Sequence, residues 1–347
     1  MKYLLAADIG ATHSRFALFR VPETGLNSPC ALPLELEREQ WLDGALFPSF
    51  ADVLHALRTA KEDEPPFLTP DITPDAAVIA PAGPIQGDTC RMPNLPWLIR
   101  GQDVRKELGI PRVFLINDFV AQAYACLLPG SIDAVPVLEG TPYPGAPVAV
   151  AGAGTGFGQA LLLCPPAEDG ESMEAMLRRF RQAMVLPSEG GHAEVPFVGR
   201  EEFAFAEFAA KRAGTSRLIG DTIITGSGLS HIFAYHTGRD VTPREAAAEA
   251  ADHPRVMEWY ARFYARACRN YVLYTLALGG LYITAGMALR VPVLEHPAFA
   301  EEFCHSAAQR PLLERIPVRH VRKPQAGLWG AALYGLLRMP PAAGCAT

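Results

Sequence analysis

Four short stretches carry residue types at spacings that could do chemistry. "LLAADIGATHSRFALF" (4–19) and "APVAVAGAGTGFGQALLLC" (146–164) each set a Gly/Thr turn between apolar runs. "LINDF" (115–119) closes an apolar run on Asn117 and Asp118, and "LPSEGGHAEVP" (186–196) places Glu189 and His192 around two glycines. At a turn without bulky side chains, backbone N–H groups can approach phosphate oxygens closely. Gly10, Ala11 and Thr12, together with Gly152, Gly154, Thr155 and Gly156, therefore form two candidate phosphate cradles, to which Thr12 and Thr155 add hydroxyl donors. Asp8 would repel a phosphate directly, so its natural role there is to hold Mg²⁺ or the waters around it. Either motif alone is equally an ordinary β-hairpin turn, where glycine is common. Two matched turns, one with an acid at its mouth, favour phosphate.

Other nucleotide loops do not fit. No GxxxxGK[ST] string exists, and in "GAGTGFG" the glycines at 152 and 154 are followed by Phe157 where GxGxxG needs glycine. The following "QALLLC" is also strand-like, whereas a dinucleotide fingerprint opens a helix.

In "LINDF" a strand ends just before a helix, which presents Asn117 and Asp118 at the carboxyl edge where α/β folds bind ligands. Moving a phosphoryl group onto a hydroxyl needs a carboxylate to accept the hydroxyl proton, the role we assign to Asp118, with Asn117 bonding neighbouring hydroxyls. The competing role for Asp118 is to N-cap a helix beginning at Phe119. Glu189 and His192 suit sugar hydroxyls as planar acceptors and donors. With Glu194 they are also metal-ligand types, and a chance surface loop is the plain alternative.

The elements around these motifs alternate between strand-like and helix-like, which predicts an α/β architecture. "KYLLAAD" and "RFALFRV" predict a hairpin, "AAVIAPAGPI" and "RVFLIND" buried strands. Helical spacing marks "FADVLHALRTA", "EEFAFAEFAAKRAG", the long "HPRVMEWYARFYARACRNYVLYTLAL" and the terminal "AGLWGAALYGLLR". "GLYITAGMALR" predicts strand then turn, and "PPAEDGESMEA" a surface loop. Setting Asp8 against Gly152 brings Gly10 onto Gly154 and Phe16 onto Ala160, an internal echo that suggests a duplicated fold.

With 347 residues, 49% hydrophobic and 20% charged, the chain has core material for two domains. The net charge of −6 argues against nucleic acid as a partner; the short clusters "LRRFRQ" and "PVRHVRK" fit solvated faces. The first apolar run ends at Asp8, too short for an export signal, and paired glycines break "YVLYTLALGGLYITAGMAL", so neither predicts export or a membrane span. Seven scattered cysteines without a CxxC pair predict thiols in a reducing, cytoplasmic setting.

Taken together, these motifs resemble the phosphate-binding and sugar-binding segments of the sugar kinase, actin and chaperone ATPase superfamily. Within it, the chain resembles the bacterial glucokinases over nearly its whole length. The family's DxGGTNxR appears as "DIGATHSR", with Ala11 for a glycine and His13 for an asparagine. The resemblance implies two ribonuclease-H-like α/β domains with mixed sheets flanking an interdomain cleft. The boundaries expected are 1–111 plus 320–347 for a small domain and 112–319 for a large one.

The same resemblance implies ATP with Mg²⁺ near Asp8, and glucose as the acceptor. It implies glucose contacts at Asn94 of "MPNLPW" (with Trp97 as wall), Asn117, Asp118, Glu189 and His192, with Asp118 as base. It implies a further glucose contact at Asp221, which stands where the family's glucose-contacting residue is a glutamate, one methylene longer. Replacing Asp221 by Glu is accordingly expected to improve glucose affinity. "YITAGMALR" resembles the adenosine-binding turn, with Ala285 for one glycine and Gly286 retained; "GSGLSHIF" is expected to open a helix. No clustered-cysteine zinc motif of the repressor-type sugar kinases is present. A kinase for mannose, glucosamine or fructose is the alternative enzyme. A non-catalytic sugar sensor is the alternative class; it would be expected to carry a helix-turn-helix ahead of the Asp8 strand. A homodimer is the assembly the resemblance implies.

Overall fold

The structure, a computed structural model, describes residues 2–10, 13–22, 34–60, 65–284 and 286–340. The chain divides into two units: Met1–Ile132, Cys164–Ala183 and Gln325–Thr347 in the first, Asp133–Leu163 and Met184–Pro324 in the second. These limits differ from the sequence boundaries at 111 and 319, and strand pairing gives the reason for the first.

The first unit opens with the hairpin β1 (Lys2–Ile9) and β2 (His13–Val21), in which Asp8 faces Arg15. β3 (Glu35–Asp43) pairs with β2, and β4 (Ala76–Pro81) runs parallel to β1 on its other side. Leu4 to Ala7 and all six residues of β4 are buried, as expected of central strands covered on both faces. β3, "ELEREQWLD", escaped the sequence reading because an edge strand can keep charged residues toward solvent. Between β2 and β4 lies α1 (Phe50–Arg58), started by a reciprocal Ser49–Asp52 capping box that buries Phe50, Val53, Leu54 and Leu57.

A small meander follows, β5 (Ile85–Gln86), β6 (Thr89–Arg91) and β7 (Leu98–Arg100), then α2 (Gly101–Leu108). β8 (Val113–Leu115) is parallel to β4 and completes the order β3-β2-β1-β4-β8. That pairing commits residues beyond 111 to this sheet, and α3 (Asp118–Ala125) follows directly.

The second unit repeats the plan. After β9 (Ala134–Leu138), β10 (Val148–Ala153) and β11 (Phe157–Leu163) form an antiparallel hairpin. The chain then enters the first unit as α4 (Met173–Arg181), which begins inside the expected surface loop. Ser172 caps it and Met173, Leu177 and Phe180 are buried, an amphipathic signal that the run of arginines in the sequence obscured. β12 (Met184–Ser188) pairs with β11.

The helices α5 (Gly199–Ala213), α6 (Gly220–Ile223), α7 (Gly226–Thr237), α8 (Pro243–Glu249) and α9 (Pro254–Thr275) come next. α7 starts where "GSGLSHIF" was expected to open a helix. β13 (Gly280–Ile283) lies parallel to β10, and beyond it the expected turn is a short helix, α10 (Gly286–Arg290). α11 (Pro297–Phe303), α12 (Arg310–Leu313) and β14 (Val318–Val321) give the order β12-β11-β10-β13-β14-β9. In each unit a hairpin's first strand is flanked by a parallel strand, so the internal echo of the two Gly/Thr turns reflects a shared topology. Both sheets are mixed and both units α/β, the class expected.

The core of the second unit forms where α9 buries Trp259, Tyr260, Phe263, Tyr264 and Cys268 against Phe205 of α5 and Phe299 of α11. Inside it Arg266, 2% exposed, binds Glu202 at 2.6 Å and Glu302 at 2.9 Å. The chain finally returns to the first unit as α13 (Ala326–Arg338), packed on β1, β4 and α3.

Candidate active site

Asp8 is the penultimate residue of β1, with its side chain 16% exposed and its Oδ2 3.6 Å from Arg15 Nη1. Burial pushes its carboxyl above the usual range, and the Arg15 guanidinium opposes that. Gly327, in the first turn of α13, comes so close that a Cβ there would stand 3.1 Å from Asp8 Oδ2 and 3.0 Å from Gln122 Nε2 of α3. Arg15 was not singled out in the sequence; the hairpin register, pairing 8 with 15 and 9 with 14, would have found it. Gly10 closes the turn by donating to the carbonyl of His13 at 3.0 Å. Ala11 and Thr12, expected in the same cradle, lie outside the described residues, as does Ala285.

β8 delivers Asn117 and Asp118 to the start of α3. Asn117 is the N-cap: its Oδ1 accepts from Phe119 N–H at 2.9 Å, and its Nδ2 donates to the carbonyl of Gly83 at 3.3 Å. The cap therefore falls on Asn117, so the capping role weighed for Asp118 is already filled. Asp118 is the first residue of the helix, half-buried, in the first turn, where a negative charge is well placed against the helix dipole. Its charge reaches Cys90 of β6, whose thiol is pushed up to about 11 by burial first and by Asp118 second.

Gly83 also ties in the loop bearing Asn94: a Cβ there would meet Cys90 Sγ at 3.1 Å and Pro93 Cδ at 3.2 Å. Asn94 is exposed on that loop, which is anchored by buried Trp97, whose Nε1 donates to the carbonyl of Phe47 at 3.0 Å. Asn94 and the Asn117–Asp118 pair are thus carried by two segments that both contact Gly83.

In the second unit the turn between β10 and β11 is closed by Gly154 N–H on the carbonyl of Gly156 at 2.8 Å. Gly152 is buried within β10, opposite Gly158. A Cβ on Gly154 would meet nothing within 4 Å, and Thr155 and Gly156 are exposed, so this tip has room for a polar ligand. Gly286, at the start of α10, stands just past β13, whose Ile283 pairs with Ala151. A Cβ on Gly286 would also meet nothing within 4 Å.

Glu189 precedes and His192 ends a single 3₁₀ turn (Gly190–His192), both about two-thirds exposed, with His192 Nε2 and Glu189 Oε2 3.7 Å apart. The turn is glycine because of crowding beneath it: a Cβ on Gly191 would stand 2.6 Å from Asp221 Oδ1 and closer still to the carbonyl of Phe157. Asp221, in α6, accepts from Phe157 N–H through Oδ1 at 2.7 Å. Its carboxylate therefore stands between the glycine hairpin and the Glu189–His192 turn.

Among the described residues, no three His, Cys, Asp or Glu side chains gather as a metal cage. Asp8 alone suits Mg²⁺, which is held by one or two carboxylates when phosphates and waters complete its shell. A cation there would also offset the burial that raises the Asp8 carboxyl.

Among the described residues no helix is long and apolar enough to cross a membrane. The glucokinase family model matches residues 5–337. The glucokinase of Synechocystis sp. is 30% identical, over 95% of this chain and 96% of its own. The crystal structure of a glucokinase from an Antarctic psychrotroph matches with a TM-score of 0.74 at 25% identity, covering 97% of this chain and 99% of its own. That of the Balamuthia mandrillaris glucokinase, solved in complex with glucose, matches with a TM-score of 0.70 at 19% identity, covering 96% and 93%. The family match spans both hairpins, the Asn117–Asp118 edge and the Glu189–His192 turn, and on that extent the chain belongs to the glucokinase family.

Proposed function

We infer that the protein transfers the γ-phosphoryl group of ATP to the 6-hydroxyl of D-glucose, giving glucose 6-phosphate and ADP. The observation that carries the mechanism is the junction of β8 and α3, where Asn117 takes the helix cap and Asp118 begins the helix. Asp118 would accept the proton of the attacking hydroxyl as its oxygen bonds to the γ-phosphorus and the bond to the β-phosphate oxygen breaks. Backbone amides at the Gly10 and Gly154–Gly156 turns would bind phosphate oxygens, with Ala11, Thr12, Gly152 and Thr155 in the same segments. Gly286 would leave space for the adenosine. Asp8 would hold Mg²⁺ through water; the cation, when bound, neutralises charge on the phosphates.

Glucose contacts are assigned to Asn94, Asn117, Asp118, Glu189 and His192, with Asp221 nearby. Arg15 would keep the Asp8 carboxylate oriented across the hairpin. A cytoplasmic setting and a homodimer are further parts of this reading, and cell fractionation and light scattering test them.

The decisive experiment is a coupled assay of ADP release with MgATP and a panel of glucose, mannose, glucosamine and fructose, run beside Asp118→Ala. Glucose turnover that falls by about 10²–10⁴-fold in the variant is the expected result. Preference for another hexose would move the substrate assignment. Binding of sugar without turnover by the parent would replace the enzyme by a sensor.

A further inference from the structure

We propose that Asp221 is a positioning residue that locks the glycine hairpin to the Glu189–His192 turn, rather than a direct ligand of the sugar. This rests on the glucose phosphotransfer reading and deepens it. Asp221 Oδ1 accepts from Phe157 N–H at 2.7 Å, immediately after the exposed Thr155–Gly156 tip. The same oxygen would lie 2.6 Å from a Cβ on Gly191, and Oδ2 3.1 Å from a Cβ on Gly156. From the other side, a Cβ on Gly220 would stand 2.8 Å from the carbonyl of Gly191 and 3.3 Å from the Phe157 ring.

The hairpin, the Gly190–His192 turn and the start of α6 thus meet around one carboxylate, with no room for a methyl group at Gly191 or Gly220 and a tight fit for one at Gly156. The residue is anchored too: Thr225 donates its hydroxyl to the Asp221 carbonyl at 2.5 Å. A glutamate here would drive its carboxylate one methylene further into Gly156 and Gly191. An aspartate is what this packing accepts.

The consequence is a division of labour. The carboxylate fixes the direction of the Phe157 N–H and therefore of the turn whose amides would meet phosphate. Glu189 and His192 sit on the other side of the same contact, so sugar bound by them would find the hairpin already in place.

The test compares Asp221→Asn, Asp221→Ala and Asp221→Glu with the parent. It reads kcat, KM for MgATP, and the Kd of each variant for glucose and for a non-hydrolysable ATP analogue. Asparagine keeps an acceptor for Phe157 N–H, so it is expected to stay within about threefold of the parent in all four. Alanine and glutamate are each expected to lose about tenfold in kcat and in analogue affinity, with the dissociation constant for glucose alone moving less than about twofold. Improved glucose affinity in Asp221→Glu, or a glucose defect with unchanged analogue affinity in Asp221→Ala, would overturn the proposal. Should the alanine variant not fold, the Asn and Glu pair decides the question alone. A parent that turns over no hexose would refute the phosphotransfer reading instead, and the analogue affinities would still judge Asp221.

Discussion

Replacing Gly330 by alanine tests whether the α3–α13 contact holds the proposed base in place. A Cβ on Gly330 would stand 2.7 Å from the amide nitrogen of Ala125 and 2.8 Å from the carbonyl carbon of Ala121, with the Ala121 oxygen nearer still. These are backbone atoms of α3 and its end, which cannot rotate away as a side chain can. Ordinary contact begins at 3.4 Å; the Ala125 nitrogen alone asks for about 0.7 Å, the difference between 3.4 and 2.7 Å, and the nearer Ala121 oxygen for more, so the two helices must separate by more than about 0.7 Å. Overpacking of this kind costs about 1–3 kcal/mol. At about 2–4 °C per kcal/mol for a cooperative unit of about 150–250 residues, the melting temperature of the first unit should fall by about 2–12 °C.

Because Asp118 is the first residue of α3, the same displacement moves the base. A misplacement near 1 Å can cost about 10²-fold, so kcat should fall about tenfold or more. Gly335→Ala, on the same helix, is the control. There the Cβ would meet only side-chain methyls, Val78 Cγ2 at 3.0 Å and Leu4 Cδ2 at 3.2 Å, which can yield. Thermal melts and steady-state kinetics on both variants decide the matter. A Gly330→Ala protein that melts within about 1 °C of the parent and keeps its kcat would refute the packing argument.

Two further outcomes follow from burial and charge. Burial raises the Asp8 carboxyl above its ordinary 3.8, so the folded chain binds that proton more tightly than the unfolded one. Its contribution to stability is therefore fully present below the unfolded value and is lost as pH rises through the folded value. Asp8→Asn should melt higher than the parent at pH 8, the gap closing toward pH 4, while kcat drops about 10²-fold; a lower melt at pH 8 contradicts this. Glu202→Ala leaves the buried Arg266 with Glu302 as its remaining carboxylate. Urea titration should show a loss of about 3–5 kcal/mol, and a loss under about 1 kcal/mol would mean that solvent reaches the guanidinium.

Much of the fold was legible because its signals are local. The two glycine hairpins, the buried strand "AAVIAP" and the long helix Pro254–Thr275 announce themselves by apolar runs, turn residues and period. β3 and α4 were not legible. Both carry many charges, and their burial is confined to positions that only the neighbouring elements define. The limit at 111 failed for a related reason: a three-residue strand such as β8 belongs to whichever sheet offers it an edge, and that was β4.

The candidate site divides the same way. The sequence by itself determined the chemistry on offer: an acid beside a glycine turn at Asp8, an Asn-Asp pair at a strand end, a Glu and a His around two glycines. Those properties reside in residue type and spacing. Only the tertiary structure decided which member of the Asn117–Asp118 pair caps the helix and that the Asp221 carboxylate binds the Phe157 amide. Each of these depends on hydrogen-bond geometry or on contact between segments as many as 64 residues apart. One chain's residue types cannot specify such pairings until packing has brought the segments together.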